Sequence, residues 1–211
     1  MIFQRDTASR LTLRLTMHRI AATLAIVVAL LFGAGAACAD FDDGVAAFKR
    51  GDSATAFLEW FTSAEQGLAL AQYLVAEMYI SGEDVSKNEA KAAKWFSKAA
   101  EQGHAISQAK LGVMYDLGRG VPENDVEAVK WFRKAAEQGD ADGQTGLGFT
   151  YATGAGIPVN NVKAYMWLSL AKAQGHETAA DNLDIVKKRM TPADISKAQA
   201  LASKMWEKPN N

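Results

Sequence analysis

One interval dominates this sequence. The pairs Gln66-Gly67, Gln102-Gly103, Gln138-Gly139 and Gln174-Gly175 follow one another at steps of 36 residues. Tyr79, Tyr115 and Tyr151 keep the same step, as do Gly82, Gly118 and Gly154, and Trp95, Trp131 and Trp167. Trp95–Gly103 and Trp131–Gly139 agree at 8 of 9 positions. A fixed period of this length marks stacked supersecondary units, each burying a face against its neighbours that it cannot bury alone.

Within a unit the spacing is helical. Ala71, Val75 and Tyr79, then Ser107, Leu111 and Tyr115, place small and apolar residues on one stripe. Gly82, Gly118 and Gly154 end this first helix, where a left-handed residue closes the last turn. A loop follows, written Gly118-x-Gly120-Val121-Pro122 and Gly154-x-Gly156-Ile157-Pro158. Asn88, Asn124 and Asn160 are then placed to cap a second helix, and Glu127 after Asn124 predicts a capping box. That second helix carries Ala92, Trp95 and Ala99, with Ala128, Trp131 and Ala135 as equivalents. Small residues let helices approach closely, and large aromatic ones fill what remains.

The run Leu111-Gly112-x-x-Tyr115-x-x-Gly118-x-Gly120-Val121-Pro122, continued by Ala128-Val129-Lys130-Trp131-Phe132-x-Lys134-Ala135-Ala136-Glu137-Gln138-Gly139, resembles the Sel1-like repeat, a relative of the tetratricopeptide repeat. The resemblance extends from Phe41 to the C-terminus. It implies an all-α fold, a right-handed solenoid of stacked antiparallel helix pairs. Units are expected at about 40–67, 68–103, 104–139 and 140–175, with a C-terminal cap over 176–207. The first unit is short: Gly51-Asp52-Ser53 replaces the long loop. At the other end, Thr191-Pro192-Ala193-Asp194 reads as the start of a final helix.

The first 39 residues follow another logic. Arg5, Arg10, Arg14 and Arg19 precede an uncharged stretch, Ile20–Ala39, that ends in Ala37-Cys38-Ala39. This is the layout of a cleaved export signal, with Met1 or Met17 as its start. Two alternatives compete with it: an inner-membrane anchor through residues 20–39, whose length could span a bilayer, and a lipid-modified Cys38. Gly35 stands where the lipoprotein motif wants a large aliphatic residue. Cleavage would remove the one cysteine and leave a periplasmic or secreted protein without disulfides. Residues 40–211 hold 19 basic and 23 acidic side chains, a net charge of −4. With no basic stripe, the sequence argues against a nucleic-acid partner.

No reactive constellation is legible. His104 and His176 follow unit-ending glycines two units apart, too far for one metal site, so they read as helix-start residues. The Gly-x-Gly loops lack the lysine and hydroxyl of a phosphate loop and read as turns. Carboxylates are scattered, and no nucleophile motif is present. The expectation is therefore a non-enzyme without metal or cofactor.

What varies is surface. On the first helices the column Leu74, Lys110, Gly146 and the column Glu77, Val113, Phe149 lie three residues apart on one face. They change from unit to unit while the core does not. In related solenoids the first helices line a concave groove, so Leu74, Glu77, Lys110, Val113 and Phe149 are the candidate partner-binding residues. The resemblance implies a protein partner, offering a peptide or helix, and a scaffold or adaptor role in the cell envelope: signalling, or polysaccharide export and secretion. The alternatives are a secreted effector that binds host protein and, with less support, a cell-wall hydrolase.

Overall fold

The computed structural model describes residues 41–82 and 84–207. The export segment expected over 1–39, with Ile20–Ala39 and Cys38, lies outside the described residues. Among the described residues every regular element is an α-helix. They are α1 (41–49), then α2 (Ser53–Glu65), α3 (Ala69–Ser81), α4 (Glu89–Glu101), α5 (Ala105–Asp116) and α6 (Asp125–Glu137). There follow α7 (Ala141–Thr153), α8 (Asn161–Ala173), α9 (Glu177–Lys187) and α10 (Pro192–Trp206). None is long and apolar enough to cross a membrane.

The chain divides into two compact units, one ending at Gln66 and one starting at Gly67. In the first, α1 and α2 form a hairpin around Trp60. The Phe48 ring lies 5.5 Å from the Trp60 ring, and a Cβ at Gly44 would meet the indole at 2.6 Å. Gly44 is thus a glycine because Trp60 occupies the space beside it.

In the second unit, helix pairs α3–α4, α5–α6 and α7–α8 repeat the same packing, and each second helix also packs on the next first helix. The columns predicted to be core are buried except at Tyr115 and Trp131, which are half-buried. Val75, Leu111, Leu147 and Leu183 line up at steps of 36 and are buried, as are Phe96, Phe132 and Leu168. Ala92, Ala128 and Ala164 are fully covered, which lets the axes approach. Trp95 and Trp167 are buried. Trp131 is half-buried, with the Lys134 ammonium 4.1 Å above its ring.

The loops obey one rule. Asn88, Asn124 and Asn160 accept from the backbone N–H three residues on, at 2.9, 3.1 and 3.0 Å. Their own N–H groups donate to the carbonyls of Tyr79, Tyr115 and Tyr151. The asparagine therefore caps one helix and ties it to the end of the other, worth about 1 kcal/mol per cap. The capping box expected at Asn124 does not form: the Glu127 carboxylate turns outward to Lys130, 2.6 Å away. The one at Thr191 and Asp194 does form. There the short Asp194 side chain bonds both the Thr191 hydroxyl and its N–H.

The two glycines of the Gly-x-Gly loops have separate duties. Gly118 and Gly154 take φ of +62° and +89° at helix ends. Gly120 and Gly156 also have positive φ, but each lies against the preceding unit. A Cβ on Gly120 would sit 2.9 Å from the Ala90 nitrogen and closer still to the Glu89 carbonyl. Gly156 stands in the same relation to Asp125 and Val126. Beside this contact Arg119 donates to Glu89 through Nε and Nη2, at 3.1 and 2.6 Å.

A further column was not foreseen. Gln72, Gln108 and Gln144 are buried polar residues at the repeat step. The amides of Gln102, Gln138 and Gln174 donate to their Oε1 atoms at 2.8, 2.7 and 2.9 Å. Gln108 in turn donates to the Ala100 carbonyl of the unit before. The recurrent Gln-Gly pair is thus half of a hydrogen-bonded ladder, which is how these buried amides avoid the cost of desolvation.

Candidate partner-binding groove

The first helices α5, α7 and α9 stand side by side, α7 packing against both of the others. On α5, Ile106, Lys110, Val113 and Leu117 fall at helical spacing and share a face. The matching residues are Leu70, Leu74 and Glu77 on α3, Asp142, Gly146 and Phe149 on α7, and Thr178, Asn182 and Ile185 on α9. The apolar members are not covered: Val113 is 38% exposed and Phe149 43%. Leu70, Ile106, Leu117 and Ile185 are also exposed.

Between α5, α7 and α9 this face sinks into a groove of about 530 Å³. Its floor is made by Phe132, Ala109 and Thr145, with Val113 and Phe149 beside it. Gly146 forms the lowest part. A Cβ there would meet the Phe132 ring at 2.6 Å, so the bare backbone rests directly on an aromatic floor. The equivalent positions in the units before carry Leu74 and Lys110. The exposed lining is mainly apolar, with polar side chains around it, which is the usual character of a binding site.

Polar groups stand at the edge. Lys110 faces Glu77 at 3.6 Å. The His176 ring reaches Asp142 through Nε2 at 2.9 Å, while its Nδ1 accepts from the Ala179 N–H. Asp116 lines the other part of the wall. Burial pushes its pKa up, helped by the carboxylates of Asp125 and Glu123. Further from the groove, His104 caps α5 by accepting from Ser107, and burial pushes its pKa down. Asp140 caps α7 at 2.7 Å from the Gly143 N–H, and burial pushes its carboxyl up.

Of the five candidate residues, Lys110, Val113 and Phe149 line the groove. Glu77 joins them through Lys110. Leu74 is half-buried on α3, beyond the groove lining. The sequence reading missed Asp116, although it stands where the neighbouring units carry Ile80 and Ala152. It also missed His176 with Asp142, whose 34-residue separation hides a contact between adjacent helices. Both histidines are helix caps, as their place after the glycines predicts. Among the described residues no group of three or more His, Cys, Asp or Glu side chains could hold a metal ion.

The Sel1 repeat family matches three consecutive segments, residues 69–104, 105–140 and 141–176, just over half of the chain. The chain belongs to the Sel1 repeat family. Sel1 repeats are in general protein–protein interaction modules and non-catalytic scaffolds. Among solved structures, a Sel1 repeat protein from Oxalobacter formigenes is similar, at 29% identity and a TM-score of 0.67, over 83% of this chain and 74% of that one. The protein c5321, a protective antigen of uropathogenic Escherichia coli with the same fold, is 28% identical with a TM-score of 0.52. That match covers 83% of this chain but 46% of c5321, so this Sel1 chain spans under half of its relative's length. No curated protein matches the chain.

Proposed function

We propose that this Sel1 protein is an exported bacterial scaffold or adaptor that holds a segment of a partner protein in the groove between α5, α7 and α9. One observation carries the reading: Val113 and Phe149, on neighbouring helices, leave apolar surface uncovered along one groove. Burying such surface on a partner contributes about 25 cal/mol per Å², and solenoid faces suit extended or helical segments. Export rests on the basic-then-apolar N-terminus with its Ala37-Cys38-Ala39 ending. The similar protein c5321 is described as a protective antigen, which is in keeping with export.

Photo-crosslinking in intact cells tests both parts of the proposal. A crosslinker at Val113 or Phe149 should capture a discrete protein, whereas one at exposed Glu137 on α6 should not. Equal capture from both positions would remove the groove from consideration. N-terminal sequencing of the exported form should begin at Asp40; retention of residues 20–39 would make the protein membrane-anchored. Reversing Glu77 and Lys110 together preserves their mutual pairing, so weaker capture by that variant would report on the partner's charge.

A further inference from the structure

At the repeat step, positions 80, 116 and 152 read Ile80, Asp116 and Ala152. One acid interrupts an apolar column, and it does so at the wall of the groove. Asp116 is half-buried and lies one helical turn after Val113. The charges that bear on it are Asp125 and Glu123, both of its own sign. Nearby cations are engaged elsewhere: Arg119 with Glu89, Lys110 with Glu77, and Lys130 with Glu127. Among the described residues Asp116 has neither a hydrogen bond nor an ion pair from its carboxylate.

A half-buried carboxylate without an ion-pair partner, with Asp125 and Glu123 as the charges that bear on it, leaves negative potential at one side of a mainly apolar cavity. Burial, and then the two neighbouring acids, push its pKa up, and a cation at the site would oppose that shift. Of the other charged side chains in the groove, Lys110 faces Glu77 and Asp142 is bonded to the His176 ring. No side chain stands at Gly146, because a Cβ there would run into the Phe132 ring, so backbone and not a side chain like Leu74 bounds the groove between Val113 and Phe149.

Resting on the reading of this groove as the binding site, we propose that its occupant is a protein segment with two adjacent features. A bulky apolar side chain enters the groove beside Gly146 between Val113 and Phe149, and a lysine or arginine about one turn away pairs with Asp116. Val113 and Asp116, at i and i+3, set that distance at about 5–6 Å. A ligand meets it with residues three or four apart on a helix, or two apart on a strand.

The test is selection from a random displayed peptide library against the full chain, followed by fluorescence anisotropy with the enriched peptide. Enriched sequences should combine Leu, Ile, Phe or Trp with Lys or Arg at one of those spacings. Asp116→Asn should weaken binding about tenfold. Replacing the peptide's basic residue by Gln should weaken wild type equally but leave Asp116→Asn unchanged. Asp116→Lys should favour an acidic version of the peptide. Phe149→Ser and Gly146→Leu should abolish binding of every version. Phe149 is half exposed, so its variant, checked by circular dichroism, keeps the test valid if a side chain at 146 disturbs Phe132. Acidic or uncharged consensus peptides, or an unchanged affinity in Asp116→Asn while Phe149→Ser loses binding, would overturn the cation pairing and leave the groove standing. Binding that survives Phe149→Ser and Gly146→Leu, or no enrichment at all, would overturn both. So would a concentration-dependent dimer dissolved by Phe149→Ser, since the occupant would then be a second copy.

Discussion

Replacing Gly120 by alanine isolates the contact between successive units. Gly120 has φ of +72° and Gly103 has φ of +92°, so both are left-handed. An L side chain in that region costs about 1–2 kcal/mol at either site. The sites differ in what surrounds the new methyl group. At Gly103 nothing lies within 4 Å of it. At Gly120 it meets the Glu89 carbonyl and the Ala90 nitrogen, backbone held by the first turn of α4. Backbone cannot swing aside as a side chain does, so overpacking adds about 3 kcal/mol, the upper end of its usual range. For a chain of this size about 1 kcal/mol shifts the melting temperature by roughly 2–4 °C. Gly103→Ala should therefore lose about 2–8 °C, and Gly120→Ala about 6–12 °C more. Thermal melts by circular dichroism, with urea titrations to check that the slope is unchanged, would measure this. Equal losses in the two variants would refute the argument that the loop bears on the unit before it.

Other outcomes follow from the caps and the buried amides. Gln108→Leu removes the acceptor of the Gln138 amide and one of the donors to the Ala100 carbonyl, which keeps the Gly103 N–H. It should cost about 1–3 kcal/mol in urea denaturation, despite adding apolar bulk. Thr191→Ala breaks the capping box of α10 and should cost about 1 kcal/mol, with faster amide exchange in that helix first. The folded pKa of His104 is held below its ordinary 6.5 by burial. Its neutral form is favoured in the folded state, so that stability is complete above 6.5 and is lost as pH falls through the folded value. His104→Asn, which keeps a capping side chain, should flatten the decline in melting temperature between pH 7 and pH 5. Asp140 has the opposite sign: its carboxyl is raised by burial, so the folded state disfavours its charge at neutral pH. Asp140→Asn should keep the cap to Gly143 and leave the melting temperature at pH 7 unchanged or higher.

The fold was readable because its determinants recur. Tyr79, Tyr115 and Tyr151 or Asn88, Asn124 and Asn160 repeat because each performs the same contact in every unit. The groove was readable in part, and for the reverse reason. Lys110, Val113 and Phe149 were found as departures from the period, but departure alone does not tell a binding surface from plain solvent exposure. Gly146 looked like one more variable residue, whereas its meaning is the Phe132 ring packed where its side chain would stand. Asp116 was legible as an acid in an apolar column, yet its lack of a partner depends on where Arg119, Lys110 and Lys130 direct their charges. Likewise Glu127 satisfied the spacing of a capping box, and Lys130, three residues on, attracted it away. Sequence spacing says which groups can meet; competition among several available partners decides which do.

The seating of Gly120 on Glu89 and of Gly156 on Asp125 bears on how such a chain can change length. Loss of one full period between Gly120 and Gly156 would bring equivalent surfaces together again and restore the same interlock, whereas one period earlier the position is Asp84. A deletion shorter or longer by even one residue would present a Cβ to a carbonyl. Duplication and loss in whole periods are thus the changes this architecture accepts, and a binding groove can be lengthened or moved along it without inventing a new joint.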